Sequence, residues 1–464
     1  MPQSQVETLV AQARTAQAQF EAASQAEVDE LLVGLAWAIL EPETNRSLAE
    51  QAVRDTGLGD VDDKITKNHR KTLGLLRDLR NAPSAGVIRE LPEQGLVEIA
   101  RPVGVVGAIT PSTNPIATPL NKTLNSIKGR NAVILAPSPK GDAVCQRLVG
   151  LLQAVLHKLG HPEHLIQKLP SPINKEDTHE LMQLADLLVV TGSQSNVRAA
   201  YRSGTPAIGV GAGNVSVIID ETADLAAAAR KITASKTFDN ATSCSSENSV
   251  VIVDAVYDEA IAALEAEGGW RLNPVETQTL QTALWPQGRL SPDLIAKSAA
   301  EIAEAVGLQR PGTAQTRMLM VEETGTGREH PFSGEKLSPV LTVYRAADFA
   351  AACQQVREIY EFQGKGHSVG LHSQDESRPL EMGLSLPACR VIVNQAHCFA
   401  TGGSFDNGMP FSLSMGCGTW GGNSISDNLN YRHYLNIVRI VRPIAPVEPS
   451  VEDIFGEYWT KHGR

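Results

Sequence analysis

The sequence predicts an α/β protein built on parallel sheets. Strand-like runs alternate with helical ones through most of the chain, which is the pattern of βαβ units. Hydrophobic residues make up 42% and charged residues 20%, the balance of an ordinary globular protein. At 464 residues the chain exceeds what one hydrophobic core supports, so more than one domain is expected.

Taken in order, residues 4–40 read as two helices, with Val6, Leu9, Val10, Ala13 and Phe20 spaced along one apolar face. "GVIRELPEQGLVEIARP" alternates on both sides of Pro92 to Gly95 and reads as a β-hairpin. Then come strand-like "VGVVGAIT", helical "PLNKTLNSIKGR", strand-like "NAVILAP", helical "GDAVCQRLVGLLQAVLHKLG", "HLIQKLP", a short helix and "ADLLVVTGS". The alternation resumes after residue 240, with no internal repeat.

The net charge of −11 argues against nucleic acid and against a polybasic membrane anchor, both of which need clustered positive charge. No apolar run reaches the length of a membrane span. "MPQSQVETLVAQARTAQ" has neither a basic nor an apolar leader region. A cytoplasmic protein acting on small molecules is expected. The six cysteines lack paired CxxC spacing, so neither a disulfide framework nor a structural zinc site is supported. Cys389, His397, Cys398 and Cys417 lie near one another in sequence without the close ligand pairs of zinc sites, and no metal is expected.

Ligands of parallel sheets bind at strand C-terminal ends. Three such loops carry suitable groups: "ITPSTNP" (109–115), "APSPKG" (136–141) and "TGSQSN" (191–196). Each taken alone reads equally as a solvated turn. "GVGAGN" (209–214) departs from GxGxxG and precedes a strand, so it is rejected as a phosphate loop. Its lack of bulk would leave room for a ligand. Cys244 sits among Thr242, Ser243, Ser245 and Ser246, odd company for a thiol that packs as a small hydrophobe.

These segments, in order, resemble the aldehyde dehydrogenase superfamily, specifically its CoA-acylating branch. The resemblance rests on "GVVGAITPSTNPIATPLNKTLNSIKGRNAVILAPSPK", "VVTGSQSNVRAAYRSGTPAIGVGAGNVSVIID", "KTFDNATSCSSENSVVIV", "GEKLSPVLTVY", "GKGHSVGLHS" and "FSLSMGCGTWGGNSISDNLNYRHYLNIVRIVRP". It implies two Rossmann-like α/β domains and a protruding β oligomerisation arm. The expected divisions are a cofactor domain at 1–235 interrupted by the hairpin 86–101, a catalytic domain at 236–425, an arm of 86–101 with 426–446, and a tail at 447–464.

The resemblance also implies roles. Cys244 would be the nucleophile, with its own N–H and Asn114 holding the oxyanion. Thr110, Pro111, Ser138, Lys140, Thr191, Gly192, Ser193, Gly211 and Glu335 would meet the cofactor. Hydrolytic relatives carry a glutamate base where this chain has Val210, so a Cys244 thioester would wait for the CoA thiol. His367 is a candidate for the CoA thiol proton, though a lone histidine is as readily structural. "APSPKG" has no acid for a ribose 2′-hydroxyl, whereas Ser138 and Lys140 suit a 2′-phosphate, so NADP is favoured with NAD possible.

The segment 394–420 is most similar to that of enzymes acting on sulfoacetaldehyde, followed by those acting on succinate semialdehyde. Acetaldehyde and propionaldehyde are further alternatives, as is a catalytically silent structural homologue. An anionic tail needs donors, for which Ser243, Ser245, Asn240, Arg202, His397 and Ser404 are the candidates. The exposed edge of the arm predicts a homodimer or homotetramer.

Overall fold

The computed structural model describes residues 4–464. Three sheets organise it. A five-stranded parallel sheet runs in the order Ile166–Lys168, Ala132–Ala136, Val105–Ile109, Leu187–Val190, Ala207–Gly209. A seven-stranded parallel sheet runs Gly269–Arg271, Met318–Glu322, Val340–Ala346, Glu247–Val253, Val215–Ile219, Val369–His372, Val391–Val393. Strands Gly86–Leu91, Leu96–Pro102 and Leu435–Val441 form a separate antiparallel sheet.

The first two helices, Gln5–Phe20 and Gln25–Leu40, open with capping boxes at Ser4 and Ser24, so their free N–H groups are met before the first turn. Val6, Val10, Ala13 and Phe20 are buried and join the core of the five-stranded sheet. The seven-stranded sheet is covered on both faces. Val217, Val250 and Leu341 pack on one side with Ile232 and Ile261, while Ile218, Val251 and Tyr344 pack on the other with Val356 and Ile359. That alternation of an all-apolar strand is what a doubly covered parallel sheet requires.

The sheets divide earlier than the sequence pattern suggested. Strand Val215–Ile219 pairs with Glu247–Val253 and Val369–His372 in the seven-stranded sheet, so the crossing falls within the "GVGAGN" run and not near residue 235. Alternation of strands and helices does not say which sheet a strand joins. The 447–464 tail contains a helix, Val451–His462, with no buried residue. In the hairpin, Gly95 takes φ 63°, and a Cβ there would lie 2.3 Å from the Arg442 carbonyl oxygen, so glycine is needed for both reasons.

Candidate active site

Within the five-stranded sheet the chain runs outward from Val105–Ile109 in one direction and later in the other. This puts a crevice at the strand C-terminal ends, where ligands of such sheets bind. A cavity of about 880 Å³ opens there. Its wall includes Thr110, Pro111, Asn114, Ser138, Thr191, Gly192, Ser193, Val210, Gly211, Ser243, Cys244 and Glu335. The hydroxyls of Thr110 and Ser138 are buried and have no protein partner. Orphaned groups in a cavity wall are donors and acceptors awaiting a ligand. Ser193 caps helix Gln194–Arg202, its hydroxyl accepting from the Asn196 N–H at 3.3 Å.

Cys244 lies just before strand Glu247–Val253, at the end of a strained segment. Asp239, Asn240 and Ala241 have φ of 50°, 51° and 60°, a conformation costly for residues with a Cβ. What holds it is Asp239. Its carboxylate, fully buried, pairs with Lys64 at 3.1 Å and with Lys67, and accepts from the Asp60 N–H at 2.9 Å and the Thr242 hydroxyl at 2.6 Å. The two lysines come from helix Val61–Leu79, so that helix anchors the cysteine loop. Lys67 also donates to Asn114 Oδ1 at 2.9 Å. Behind the thiol, Gly213 approaches so closely that a Cβ would lie 1.8 Å from the Cys244 carbonyl oxygen. Among the described residues the Cys244 N–H donates to no backbone or side-chain oxygen.

Burial pushes the Cys244 thiol up to about 12, and the Glu335 charge adds to the rise. Burial raises Glu335 to about 8 against the opposing charges of Lys236 and Lys336. The resting site therefore holds a neutral thiol. Among the described residues Glu335 is the one acidic residue in the wall of the cavity. Val210, only 6% exposed, stands in the wall with no proton to exchange.

Several expected residues lie elsewhere. His367 and His397 share the Ser368 hydroxyl, at 2.8 Å each, in the core and off the cavity wall. Burial and the Arg390 charge push His367 down to about 3, so its imidazole rests neutral, and its Nε2 is buried without a protein partner. Arg202 is exposed at the end of its helix. Asn240 turns away to donate to the Ala296 carbonyl at 3.3 Å, and Ser245 is buried beneath the loop. Lys140 is exposed and absent from the wall, where Lys175 and His179 stand instead. Ser404 reaches the site only through Arg70, which donates to its hydroxyl at 3.4 Å. Among the described residues no group of three or more His, Cys, Asp or Glu is placed to hold a metal ion. All six cysteines are free.

The residues that sequence reasoning missed are Lys64, Lys67, Arg70, Lys71 and Asp239. For Lys64 and Lys67 a partial signal lies in helix Val61–Leu79, where they begin the buried stripe that ends in Leu75 and Leu79, but it names no partner. Lysines at core-facing positions need a buried partner.

The aldehyde dehydrogenase family model matches residues 1–412. The acylating sulfoacetaldehyde dehydrogenase of Cupriavidus necator is 58% identical over 459 residues, covering 99% of this chain and 93% of that protein. Among solved structures, an acetylating aldehyde dehydrogenase from Geobacillus thermoglucosidasius superposes with a TM-score of 0.92 at 35% identity, covering 96% of this chain and 98% of that one. A propionaldehyde dehydrogenase from Rhodopseudomonas palustris, solved with bound CoA and an acylated cysteine, superposes with a TM-score of 0.85 at 26% identity, covering 94% and 97%.

Proposed function

The chain belongs to the aldehyde dehydrogenase family, and on that premise we propose that it oxidises sulfoacetaldehyde to the acyl-CoA, with Cys244 as nucleophile and NADP as hydride acceptor. The acylating half is carried by one observation. The wall around Cys244 offers Val210 where a water-activating base would be needed, and its one carboxyl, Glu335, belongs to the cofactor end in this reading. Similarity to acylating enzymes supports the same outcome.

In this mechanism the Cys244 thiol, neutral at rest, gives its proton to solvent water and the resulting thiolate adds to the aldehyde carbon. The former carbonyl oxygen becomes an oxyanion between the Asn114 amide and the Cys244 N–H. A dinucleotide held by Thr110, Ser138, Thr191 to Ser193 and Glu335 would supply the hydride acceptor for that carbon. Cys244 then carries a thioester, and no side chain of the wall prepares water to cleave it. Transfer of the acyl group to CoA forms the new C–S bond, breaks the bond to Cys244, and passes the proton of the CoA thiol to the Cys244 sulfur, which restores the neutral thiol.

The cavity suits a dinucleotide through the unpartnered hydroxyls of Thr110 and Ser138, the Thr191 to Ser193 turn, and Glu335 as the ribose acceptor. NADP is chosen over NAD because Ser138 meets no carboxylate there, while Lys175 and His179 line the wall. The five-stranded sheet is assigned to cofactor binding and the seven-stranded sheet to catalysis. The arm, with Val87, Val438 and Val441 exposed, is assigned to homodimer or homotetramer formation. Six free thiols suit the cytoplasm, and no helix among the described residues is long and apolar enough to cross a membrane.

The test is kcat/KM for sulfoacetaldehyde, succinate semialdehyde and acetaldehyde with CoA and NADP. Sulfoacetaldehyde is expected to lead. A lead for acetaldehyde would contradict the anionic substrate, and a lead for succinate semialdehyde would change which anion it is.

A further inference from the structure

A second, small cavity adjoins the first and shares Asn114, Ser243 and Leu413 with its wall. It leaves about 30 Å³ for the centres of water-sized atoms. Lys67, Arg70 and Lys71, all from helix Val61–Leu79, face it together with Phe238 and Phe399. Three cations around so small a space is an arrangement that burial penalises unless charge is matched.

The donors sort themselves. Lys67 spends its ammonium on Asp239, Asn114 and Thr242. Lys71 donates to the Gly402 and Gly403 carbonyls at 2.9 Å and 3.1 Å, and a third N–H remains. Arg70 has five N–H donors, and among the described residues its one side-chain hydrogen bond is the long contact to Ser404. The Arg70 guanidinium lies 5.4 Å from the Phe399 ring and 5.6 Å from the Phe405 ring, which holds its plane without neutralising it. Among the described residues neither Arg70 nor Lys71 lies within 4.0 Å of a carboxylate oxygen, the ion-pair limit met by Lys64 and Lys67. Burial pushes Lys71 down to about 8, and the Arg70 and Lys67 charges push the same way. An anion in the cavity would reverse that.

We propose that Arg70 and Lys71 bind the anionic tail of the aldehyde, with the Ser243 hydroxyl as a further donor, and so set the enzyme's substrate class as a short aldehyde ending in a sulfonate. The shared wall of Asn114 and Ser243 lies between the cations and the Cys244 cavity, so an aldehyde at the thiol would send its tail toward Arg70 and Lys71. A tetrahedral sulfonate offers three oxygens to donors arriving from separate directions. The small space limits the chain between aldehyde and anion.

This inference rests on the acylating reading of Cys244, and the test separates the two. Arg70→Gln and Lys71→Gln are assayed with sulfoacetaldehyde and with propionaldehyde, CoA and NADP being saturating. Each variant is expected to lose about a hundredfold or more in kcat/KM for sulfoacetaldehyde, mainly in KM. The loss for propionaldehyde should be at least about tenfold smaller, so the selectivity ratio falls, and Arg70→Lys should recover part of it. Ethanesulfonate serves as an unreactive probe on protein of unaltered sequence. It is expected to compete with sulfoacetaldehyde there and to compete more weakly in Arg70→Gln. Equal losses for both aldehydes would mark a merely structural role and overturn the inference. A sulfoacetaldehyde preference in the unaltered enzyme that survives both substitutions overturns it alone, while an unaltered enzyme with no such preference overturns the substrate reading as well.

Discussion

Lys67 donates to the Asn114 side-chain oxygen at 2.9 Å. An ammonium can only donate, so this contact fixes which way the amide faces; its NH₂ donates to the Thr113 hydroxyl in a long 3.5 Å contact and keeps a second N–H. The Asn114 NH₂ is therefore available to an oxyanion formed at Cys244. Asn114→Ala should lower kcat by about a hundredfold to a thousandfold while Cys244 still reacts with iodoacetamide. Lys67→Met should also slow turnover, since the amide can then flip. An unchanged rate in Asn114→Ala would remove it from the mechanism.

Asp239 links the cysteine loop to helix Val61–Leu79. Asp239→Asn leaves two lysines buried without a counter-charge, which should cost about 3–5 kcal/mol in denaturant unfolding. Burial would raise this carboxyl, but Lys67 and Lys64 outweigh it and hold it below the usual value. A depressed carboxyl stabilises the fold above its unfolded pKa and loses that contribution as pH falls through the folded value. Unfolding on acidification below about pH 4 should be less steep in Asp239→Asn than in the unaltered protein. Parallel acid profiles would show that the pair carries no such linkage.

The thiol sets a second pH dependence. With Cys244 pushed up to about 12, alkylation of the ligand-free enzyme by iodoacetamide should rise close to tenfold per pH unit between about 7 and 10. Glu335, near 8, is mostly neutral below that pH and charged above it. Glu335→Gln should therefore speed alkylation above about pH 8.5 and leave it unchanged at pH 7. No acceleration at high pH would show that the thiol does not feel this carboxylate.

Gly213 permits the Cys244 backbone to come within reach of the "GVGAGN" run. Because a Cβ there would collide with the Cys244 carbonyl oxygen, Gly213→Ala should displace the loop and reduce activity by at least about a hundredfold through misplacement of the nucleophile. Full activity in Gly213→Ala would mean that the approach is looser than described.

What the sequence made legible was local or ordered along the chain. Cys244 stood out because small polar neighbours surround it, and the ordered segments gave it a role. Strand alternation pointed to parallel-sheet βαβ units, the resemblance to two such domains, and the turn at Pro92 to Gly95 to the hairpin. Lys67 and Asp239 were not legible because they are 172 positions apart, and neither carries a local pattern that names the other. The same limit explains the tail-binding candidates. Arg202 and His397 are donors near suggestive motifs, whereas Arg70 and Lys71 come from helix Val61–Leu79, a segment with no binding motif beside it. Strand Val215–Ile219 was placed in the wrong sheet because periodicity reports a strand's faces and not its neighbours.

Cleavage of the Cys244 thioester by CoA and not by water is tested most directly by rapid-mixing measurement of NADPH formation. With saturating sulfoacetaldehyde and NADP but no CoA, the enzyme should release about one equivalent of NADPH per subunit and stop, as an accumulating acyl-enzyme does. Addition of CoA should then restore steady turnover. Sustained NADPH formation without CoA, at a rate comparable to that with it, would contradict the account.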